Sequence, residues 1–237
     1  MAKNKNTAAA KGQYDKSSLY GPADAVALAR SMAFAKFDES VDIAFNLGID
    51  ARKADQLVRG TVSLPHGTGK EIRIVAFVSG ADVAAAEEAG ADIVGGKELA
   101  EEISAGRALD FDLAIAAPDM MSHVGKLGSI LGPRGLMPNP KSGTVTKDVG
   151  KAIKEFKAGR VEYRNDRYGN VHIPIGKVSF EAEQLADNLA VIADEIIRNR
   201  PPAVKGRFVR KVTVSSTMGP GVNIDVSGLE DMVKELH

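Results

Sequence analysis

The sequence predicts a protein of two domains and mixed class, α/β and α+β, with one domain inserted into the other. Three observations support this. The chain has 237 residues, more than one ordinary domain needs. Short apolar runs alternate with helical segments from Ile72 to Ala117, whereas the sequence on either side predicts longer strands. Glycines mark both transitions, in Gly67-Thr68-Gly69 and in Ala158-Gly159-Arg160.

The residues before the first transition predict a helix and two strands. Pro22 suits the first position of a helix, and apolar residues recur at helical spacing as far as Ala35. From Val41 to Leu47 apolar and polar residues alternate, which is typical of a strand with one buried face. A second strand is predicted from Arg59 to Leu64. Residues 1 to 18 are polar, with four lysines and one aspartate. They predict a mobile arm that contacts a phosphate backbone or is only a disordered terminus, and we favour the disordered terminus.

The middle segment predicts a parallel sheet covered by helices, because strand and helix alternate from Ile72 to Ala117. One more helix is predicted from Asp148 to Phe156. Between them, the stretch from Gly125 to Val145 contains five glycines, three prolines and interleaved basic residues, and predicts a loop of fixed shape. Such a loop can approach phosphates through its backbone, or it can be only a rigid connection.

The residues after the second transition return to long strands. Strands are predicted at Val161 to Arg164 and Val171 to Ile175, joined as a hairpin by the turn Asp166 to Asn170. A helix follows from Ala182 to Ile197 and is ended by two prolines. A last strand runs through Phe208 to Thr217, and a short helix is expected in the tail after Asp225.

The charges balance overall, with 31 basic and 31 acidic residues, so the composition gives no sign of a polyanionic partner. Their distribution is uneven, because the segment from Ile196 to Ile224 has six basic residues and no acidic one. These are Arg198, Arg200, Lys205, Arg207, Arg210 and Lys211. Such a run can contact phosphates or only keep a surface solvated. Division at the predicted boundaries gives the two ends a net charge of +2 and residues 68–159 a net charge of −2.

Several kinds of site are disfavoured. The absence of cysteine excludes disulfides and thiolate chemistry. The HGTGK segment at 66–70 lacks the glycine spacing of a phosphate loop, and the turn after Phe77-Val78 lacks the dinucleotide fingerprint. The four histidines are dispersed, so we expect no metal. No apolar run is long enough to span a membrane, and we expect a cytoplasmic protein.

The segment GKLGSILGPRGLMPNPKSGTV, residues 125–145, resembles the signature of the L-one family of large-subunit ribosomal proteins, the proteins of the mobile stalk. Four further segments resemble the family in the same order along the chain. They are KFDESV at 36–41, VRGTVSLPHGTGK at 58–70, EYRND at 162–166 and STMGP at 216–220. The resemblance covers roughly residues 19 to 225. It departs from the family pattern at Ser40, where threonine is commoner, and in the turn Arg167-Tyr168-Gly169.

The resemblance implies a fold and a set of contacts with RNA. The fold is a discontinuous α+β domain with a split βαβ core, residues 1–67 and 160–237, into which a Rossmann-like three-layer α/β domain, residues 68–159, is inserted. The implied rRNA contacts belong to the discontinuous domain. They are Lys36, Phe37, Ser40, Arg164, Asp166, Arg167, Thr217, Met218 and Gly219, with the last three beside the first three and the others nearby. The crossings at Gly67, Thr68 and Gly69 and at Ala158, Gly159 and Arg160 can be hinges or rigid turns that need a positive φ.

The resemblance also implies a function without catalysis or cofactor, as a constituent of the large subunit of cytoplasmic ribosomes. The implied partners are 23S rRNA, other parts of the large subunit, deacylated tRNA at the exit site, and the mRNA of the protein's own operon, whose translation it would repress. Two alternatives remain on the residues alone: a nucleotide-using enzyme built on the inserted block, and a scaffold without RNA affinity. The first lacks a phosphate-binding fingerprint, and the second fits poorly with the basic segment.

Overall fold

The computed structural model describes residues 9–10, 12–80 and 82–235. The chain forms two compact units that divide after Lys70 and after Arg160. We call residues 71–160 the middle unit and the remainder the end unit. Each has its own hydrophobic core, and no core residue of one belongs to the other. The mixed α/β and α+β class predicted from the sequence is confirmed.

The chain forms eight helices and nine strands within the described residues from Pro22 to Glu235. In chain order they are α1 (Pro22–Ser31), β1 (Ser40–Leu47), β2 (Arg59–Ser63), β3 (Ile74–Phe77), α2 (Asp82–Glu88), β4 (Ile93–Gly95), α3 (Lys97–Ser104), β5 (Leu113–Ala116), α4 (Met121–Val124), α5 (Gly128–Leu131), α6 (Val149–Lys157), β6 (Arg160–Arg164), β7 (Asn170–Lys177), α7 (Ala182–Arg198), β8 (Val209–Ser216), β9 (Val222–Ile224) and α8 (Val226–Glu235). Short 3₁₀ helices occur at Ala54–Gln56, Pro118–Met120, Gly125–Leu127 and Pro140–Ser142.

The end unit is built on a four-stranded antiparallel sheet with the order β7-β1-β8-β9. The alternation predicted for β1 is confirmed, since Val41, Ile43, Phe45 and Leu47 are buried and the residues between them are not. Apolar residues of α1, α7 and α8 join these side chains in one core. The sheet therefore has one face against helices, and its strand ends carry the loops of the unit.

The turn predicted at Asp166 to Asn170 is present, since the Asp166 amide donates to the Asn170 carbonyl at 2.7 Å, but the predicted pairing of its two strands as a hairpin is wrong. Strand β6 pairs with β2, and β7 joins the four-stranded sheet, so only one bridge, Asn165 to Val171, connects the two arms. The hydrogen bond from the Asn165 amide to the Val58 carbonyl, 3.0 Å, keeps β6 beside β2. On β6, Tyr163 is buried against Gly60, where a Cβ would lie 2.6 Å from the phenol oxygen. Burial raises the pKa of Tyr163 to about 12.

The middle unit is a three-stranded parallel sheet with the order β4-β3-β5, flanked by helices, as the alternation of strand and helix predicted. All four residues of β3 are fully buried, which explains its continuous apolar run. The predicted loop at 125–145 is only partly correct, because its first half forms α5 and a 3₁₀ turn. Val124, Leu127 and Leu131 are buried at helical spacing, and this packing overrides the high glycine content.

The prediction of a disordered arm over residues 1–18 is wrong for its last part. The Tyr14 hydroxyl donates to the Gly221 carbonyl, 3.1 Å, and the Asn223 side chain donates to the Lys16 carbonyl, 2.9 Å. These bonds attach the chain to β9, a strand that the sequence did not predict. Lys3, Lys5 and Lys11 of the predicted arm lie outside the described residues. The tail helix α8 buries Val226, Leu229 and Val233 in the core of the end unit.

Candidate nucleic-acid interface

Six of the nine predicted RNA contacts come together where β1 begins and β8 ends. Because the two strands are antiparallel and Val41 lies opposite Ser216, the loop before β1 and the loop after β8 are neighbours. The six are Lys36, Phe37, Ser40, Thr217, Met218 and Gly219. We call these residues, with the buried Glu39 beneath them, the Glu39 surface.

Glu39 joins the two loops. One of its carboxylate oxygens accepts from the amides of Phe34 and Ala35, at 3.0 and 2.8 Å, and the other accepts from the amide of Met218 at 2.8 Å. The side chain is buried in spite of its charge. Burial acts to raise the pKa of Glu39, but the hydrogen bonds from Met218, Ala35, Ser216 and Phe34 outweigh it and lower the pKa overall. The ionised carboxylate therefore fixes the shape of this surface.

Ser40 and Thr217 are bound to each other across the strand ends. The Thr217 hydroxyl accepts from the Ser40 amide at 2.9 Å and donates to the Ser40 carbonyl at 3.2 Å. The Ser40 hydroxyl accepts from the Lys177 ammonium group at 2.9 Å. Their hydroxyls are thus engaged within the protein, and both residues position the loops as well as facing solvent.

Phe37 and Met218 are large apolar side chains that remain uncovered, with 56% and 49% of their surface exposed. Lys36, which precedes Phe37 in the chain, is exposed as well. An exposed pair of this kind on a rigid loop junction is typical of a binding surface. An aromatic ring can stack on an unpaired base or pack on a ribose, and the lysine can contact a phosphate.

Gly219 is required by the packing of the loop after β8. A Cβ at this position would overlap the Ser216 hydroxyl. The Gly219 amide donates to that hydroxyl, 3.1 Å, and to the Ser216 carbonyl, 3.2 Å. The bare backbone at this turn leaves room for another molecule to approach closely.

The remaining predicted contacts, Arg164, Asp166 and Arg167, are not near the first six. The register Asn46 to Asn170 and the hydrogen bond from the Leu47 amide to the Gly169 carbonyl, 2.9 Å, place the turn 166–169 at the opposite end of β1. At about 3.3 Å per residue, the eight residues of β1 separate the two groups by roughly 23 Å. The expectation that they lie near one another is therefore wrong.

Asp166 shapes this turn. Its carboxylate accepts from the amides of Tyr168 and Asn170, each at 2.8 Å. Burial acts to raise the pKa of Asp166, and the hydrogen bonds from Asn170 and Tyr168 lower it overall. Among the described residues Asp166 makes no ion pair with Arg164. The Arg167 guanidinium lies 4.9 Å from the centre of the Tyr168 ring, which is 68% exposed, so Tyr168 is a candidate contact that sequence reasoning missed.

The glycines at both predicted hinges adopt positive φ. The values are 66° at Gly67, 68° at Gly69 and 112° at Gly159, all in the region that favours glycine. Gly67 is also held in place, since its carbonyl accepts from the Asn188 side chain at 3.0 Å, and Thr68 is buried. Ala158 ends α6, and Arg160 pairs with Glu155 at 2.5 Å. The positive φ values are those that rigid turns require. A hinge rotation of the backbone at 67–69 or 158–160 stays a prediction.

The described part of the chain offers neither a metal site nor a membrane-spanning helix. No cluster of three or more histidine, aspartate or glutamate side chains could hold a metal ion. No helix there is long and apolar enough to cross a membrane.

Known proteins resemble the chain over nearly its whole length. Residues 29–220 match the model of the ribosomal protein L1p/L10e family. The protein of Cutibacterium acnes named large ribosomal subunit protein uL1 is 55% identical over 231 residues, which cover 98% of this chain and 99% of the relative. The proteins of the same name from Kitasatospora aureofaciens and Thermobifida fusca are 52% and 50% identical, and each alignment covers at least 98% of both chains. The similarity thus includes both units.

Proposed function

The chain belongs to the ribosomal protein L1p/L10e family, and from this membership we propose that it is a constituent of the large subunit of cytoplasmic ribosomes that binds 23S rRNA directly at the mobile stalk. It is a ribosomal protein and not an enzyme. In this proposal the end unit is a discontinuous rRNA-binding domain. The middle unit is the inserted Rossmann-like domain, joined to it by hinges at 67–69 and 158–160.

The observation that carries the proposal is the Glu39 surface. A buried carboxylate fixes two loops, and on them the side chains of Phe37 and Met218 are exposed beside Lys36. Folded RNA is recognised through its shape, its 2′-hydroxyls and its unstacked bases more than through charge alone. A preformed surface with few cations suits this kind of recognition. We expect binding at this surface to depend only modestly on salt.

The surface can be tested with Phe37→Ala and Met218→Asp. We expect each variant to bind a 23S rRNA fragment containing the stalk helices about 10- to 100-fold more weakly, because an aromatic or apolar contact with a base contributes about 1–3 kcal/mol. Filter binding and calorimetry measure the affinity. Both side chains are exposed, so thermal unfolding should not change.

Thr217→Ser is the matched control, since serine keeps the hydroxyl that bonds to Ser40. We expect it to bind like the parent, whereas Thr217→Ala should weaken binding by loosening the loop. If Phe37→Ala and Met218→Asp both bound the rRNA fragment with the parent's affinity, the assignment of this surface would be wrong.

Two further roles belong to the proposal. The first is repression of the protein's own operon by binding a structure in its mRNA that resembles the rRNA site. The same surface would then serve both RNAs, so operon mRNA should displace rRNA, and Phe37→Ala should weaken both in parallel. The second is assistance in the release of deacylated tRNA from the exit site. Ribosomes reconstituted without the chain should then release that tRNA more slowly.

A further inference from the structure

A basic groove lies at the end of the sheet opposite the Glu39 surface. It is lined by three basic residues, Lys53, Lys205 and Arg210, together with residues 48–50, Gln56 and Ala203. Gly48 forms its floor, where a Cβ would overlap the Arg207 carbonyl and lie 3.2 Å from Nε of Arg210. Glycine at this position therefore allows Arg210 to lie close to the end of β1. We call this feature the Lys53 groove.

The three cations of the groove are exposed, and they form no ion pair with any carboxylate of the described residues. Two arginines elsewhere in the end unit do form ion pairs: Arg59 with Glu162, and Arg198 with Asp194. The one acidic residue that lines the groove, Asp50, accepts from the Arg52 amide at 3.1 Å. The groove thus carries more positive than negative charge, which no ion pair within the described part of the chain offsets.

The loops that carry Lys53 and Lys205 are held in a fixed conformation by hydrogen bonds, and Arg210 lies on strand β8. The Arg200 guanidinium donates to the carbonyls of Val204 and Gly206, at 2.9 and 3.0 Å, and fixes the loop that bears Lys205. The Gln56 side chain accepts from the Asp50 amide at 2.8 Å and fixes the loop that bears Lys53. Because the loops are ordered in advance, binding an anion between them costs little conformational entropy.

The groove is continuous with the turn that contains Arg167 and Tyr168. A Cβ on Gly169 would lie 3.1 Å from the Ile49 side chain, and Ile49 lines the groove. The exposed, stacked pair of Arg167 and Tyr168 therefore precedes a residue, Gly169, that lies against the groove residue Ile49. Separated cations beside an exposed aromatic ring suit a chain of phosphates with bases attached better than a single small anion.

We propose that the Lys53 groove binds phosphates of the RNA backbone as a second, sequence-independent contact, roughly 23 Å from the Glu39 surface by the length of β1. This inference rests on the proposed RNA-binding function. The two contacts differ in chemistry: the Glu39 surface supplies shape and stacking, and the groove supplies charge. One RNA that reached both would be held at two ends of the same sheet.

The test compares the salt dependence of RNA binding by the full chain and by the triple variant Lys53→Gln, Lys205→Gln and Arg210→Gln. The probe is the 23S rRNA fragment with the stalk helices, and a random RNA of equal length is the second probe. Since each neutralised phosphate contributes about 0.7–0.9 to the slope of log K against log salt, we expect the slope to decrease by about 2 to 3. Affinity for both RNAs should fall at least tenfold at about 0.1 M salt.

A second triple variant, Lys97→Gln, Lys147→Gln and Lys154→Gln, removes the same charge from the middle unit and should keep the parent's slope. Unchanged thermal unfolding would show that the exposed groove substitutions leave the fold intact. If the groove variant kept the parent's slope while Met218→Asp lost affinity, the groove proposal would be overturned and the proposed function would stand. The same pair of results is expected if the groove binds an acidic protein instead of RNA, which would equally overturn the groove proposal. If the parent bound neither RNA, both proposals would fail.

Discussion

Glu39 is a buried acid whose partners are all hydrogen-bond donors of the protein itself. Among the described residues its carboxylate makes no ion pair, and its charge is compensated by the amides of Phe34, Ala35 and Met218. Charge-assisted bonds of this type are stronger than neutral ones, and a buried carboxylate without them would be costly. The residue therefore stabilises the protein and the candidate RNA surface together.

Glu39→Gln should destabilise the protein by about 2 kcal/mol at neutral pH, because the amide group presents donors where the protein also presents donors. The pKa of Glu39 is lowered from its ordinary value of 4.5. Its contribution is thus complete above pH 4.5 and is lost as the pH falls through the lower pKa of the folded state. The difference in unfolding free energy between parent and variant should narrow below that pH.

Urea unfolding at a series of pH values measures this difference. If the difference in unfolding free energy between the parent and Glu39→Gln stayed constant down to about pH 3, the ionised carboxylate would have no stabilising role.

Some residues of the candidate site were predicted from the sequence and others were not. Lys36, Phe37 and Met218 were predicted through the family motif, and their exposure in the structure suits contact with a partner. The part played by Glu39 was missed, because its donors are backbone amides, which leave no side-chain pattern, and because Met218 is 179 positions away. The exposure of Tyr168 was missed as well, although an aromatic residue in a basic turn was a signal that could have found it.

Helix α7 connects several parts of the end unit through one polar residue. Asn188 is fully buried on this helix. Its side chain donates to the carbonyls of Gly67 and Ile175, at 3.0 and 2.8 Å, and accepts from the His66 amide at 3.2 Å. It thus joins β7 to the crossing at residues 66–69. Apolar packing alone would not fix the helix to these backbone groups.

Replacing Asn188 by leucine should cost about 2–4 kcal/mol of unfolding free energy, since three backbone groups lose their partner in a buried place. Asp187→Asn, at the next position, is the control. Its carboxylate makes an exposed contact with His66 at 3.0 Å, and such contacts contribute at most about 1 kcal/mol. Chemical denaturation of both variants gives the comparison, and equal stabilities would refute the structural role of Asn188.

At the scale of elements, the periodicity of apolar residues correctly predicted strands and helices that bury one face. The alternation in β1 and the helical stripe of α7 were read correctly because each element buries one face. The pairing of the strands was not predicted correctly, since β6 and β7 are neighbours in sequence but belong to different sheets. Strand β9 was missed because three residues are too few to show a period. The helical turns at residues 125–131 were predicted as a loop, because their many glycines were given more weight than the helical spacing of their apolar residues.

The whole molecule consists of two units with separate cores, and the middle unit interrupts the other in sequence. The sequence predicted boundaries at residues 67–68 and 159–160 through a change of pattern and through the glycines at both transitions. It did not indicate that the predicted contacts would lie at two ends of one sheet. That arrangement depends on the register of β1 against β7 and β8.

Deletion of residues 71–160, with a linker of about four residues between Lys70 and Val161, should leave a folded protein that binds the rRNA fragment with nearly the parent's affinity. The core of the end unit contains no residue of the deleted segment, and β2 still has β6 as its partner. Circular dichroism and filter binding test the two statements. Met218→Asp in the shortened chain should abolish most of the affinity, and an unfolded product would contradict the independence of the core.

The bond between Glu39 and Met218 spans 179 positions of the chain. During synthesis the first loop of the surface leaves the ribosome long before β8 and the second loop have been made. Contacts of such long range form late in folding, because the intervening chain must first be ordered. A growing chain therefore has no complete Glu39 surface until translation is almost finished. Under the proposed function, an unfinished copy therefore lacks the surface that we propose to bind RNA.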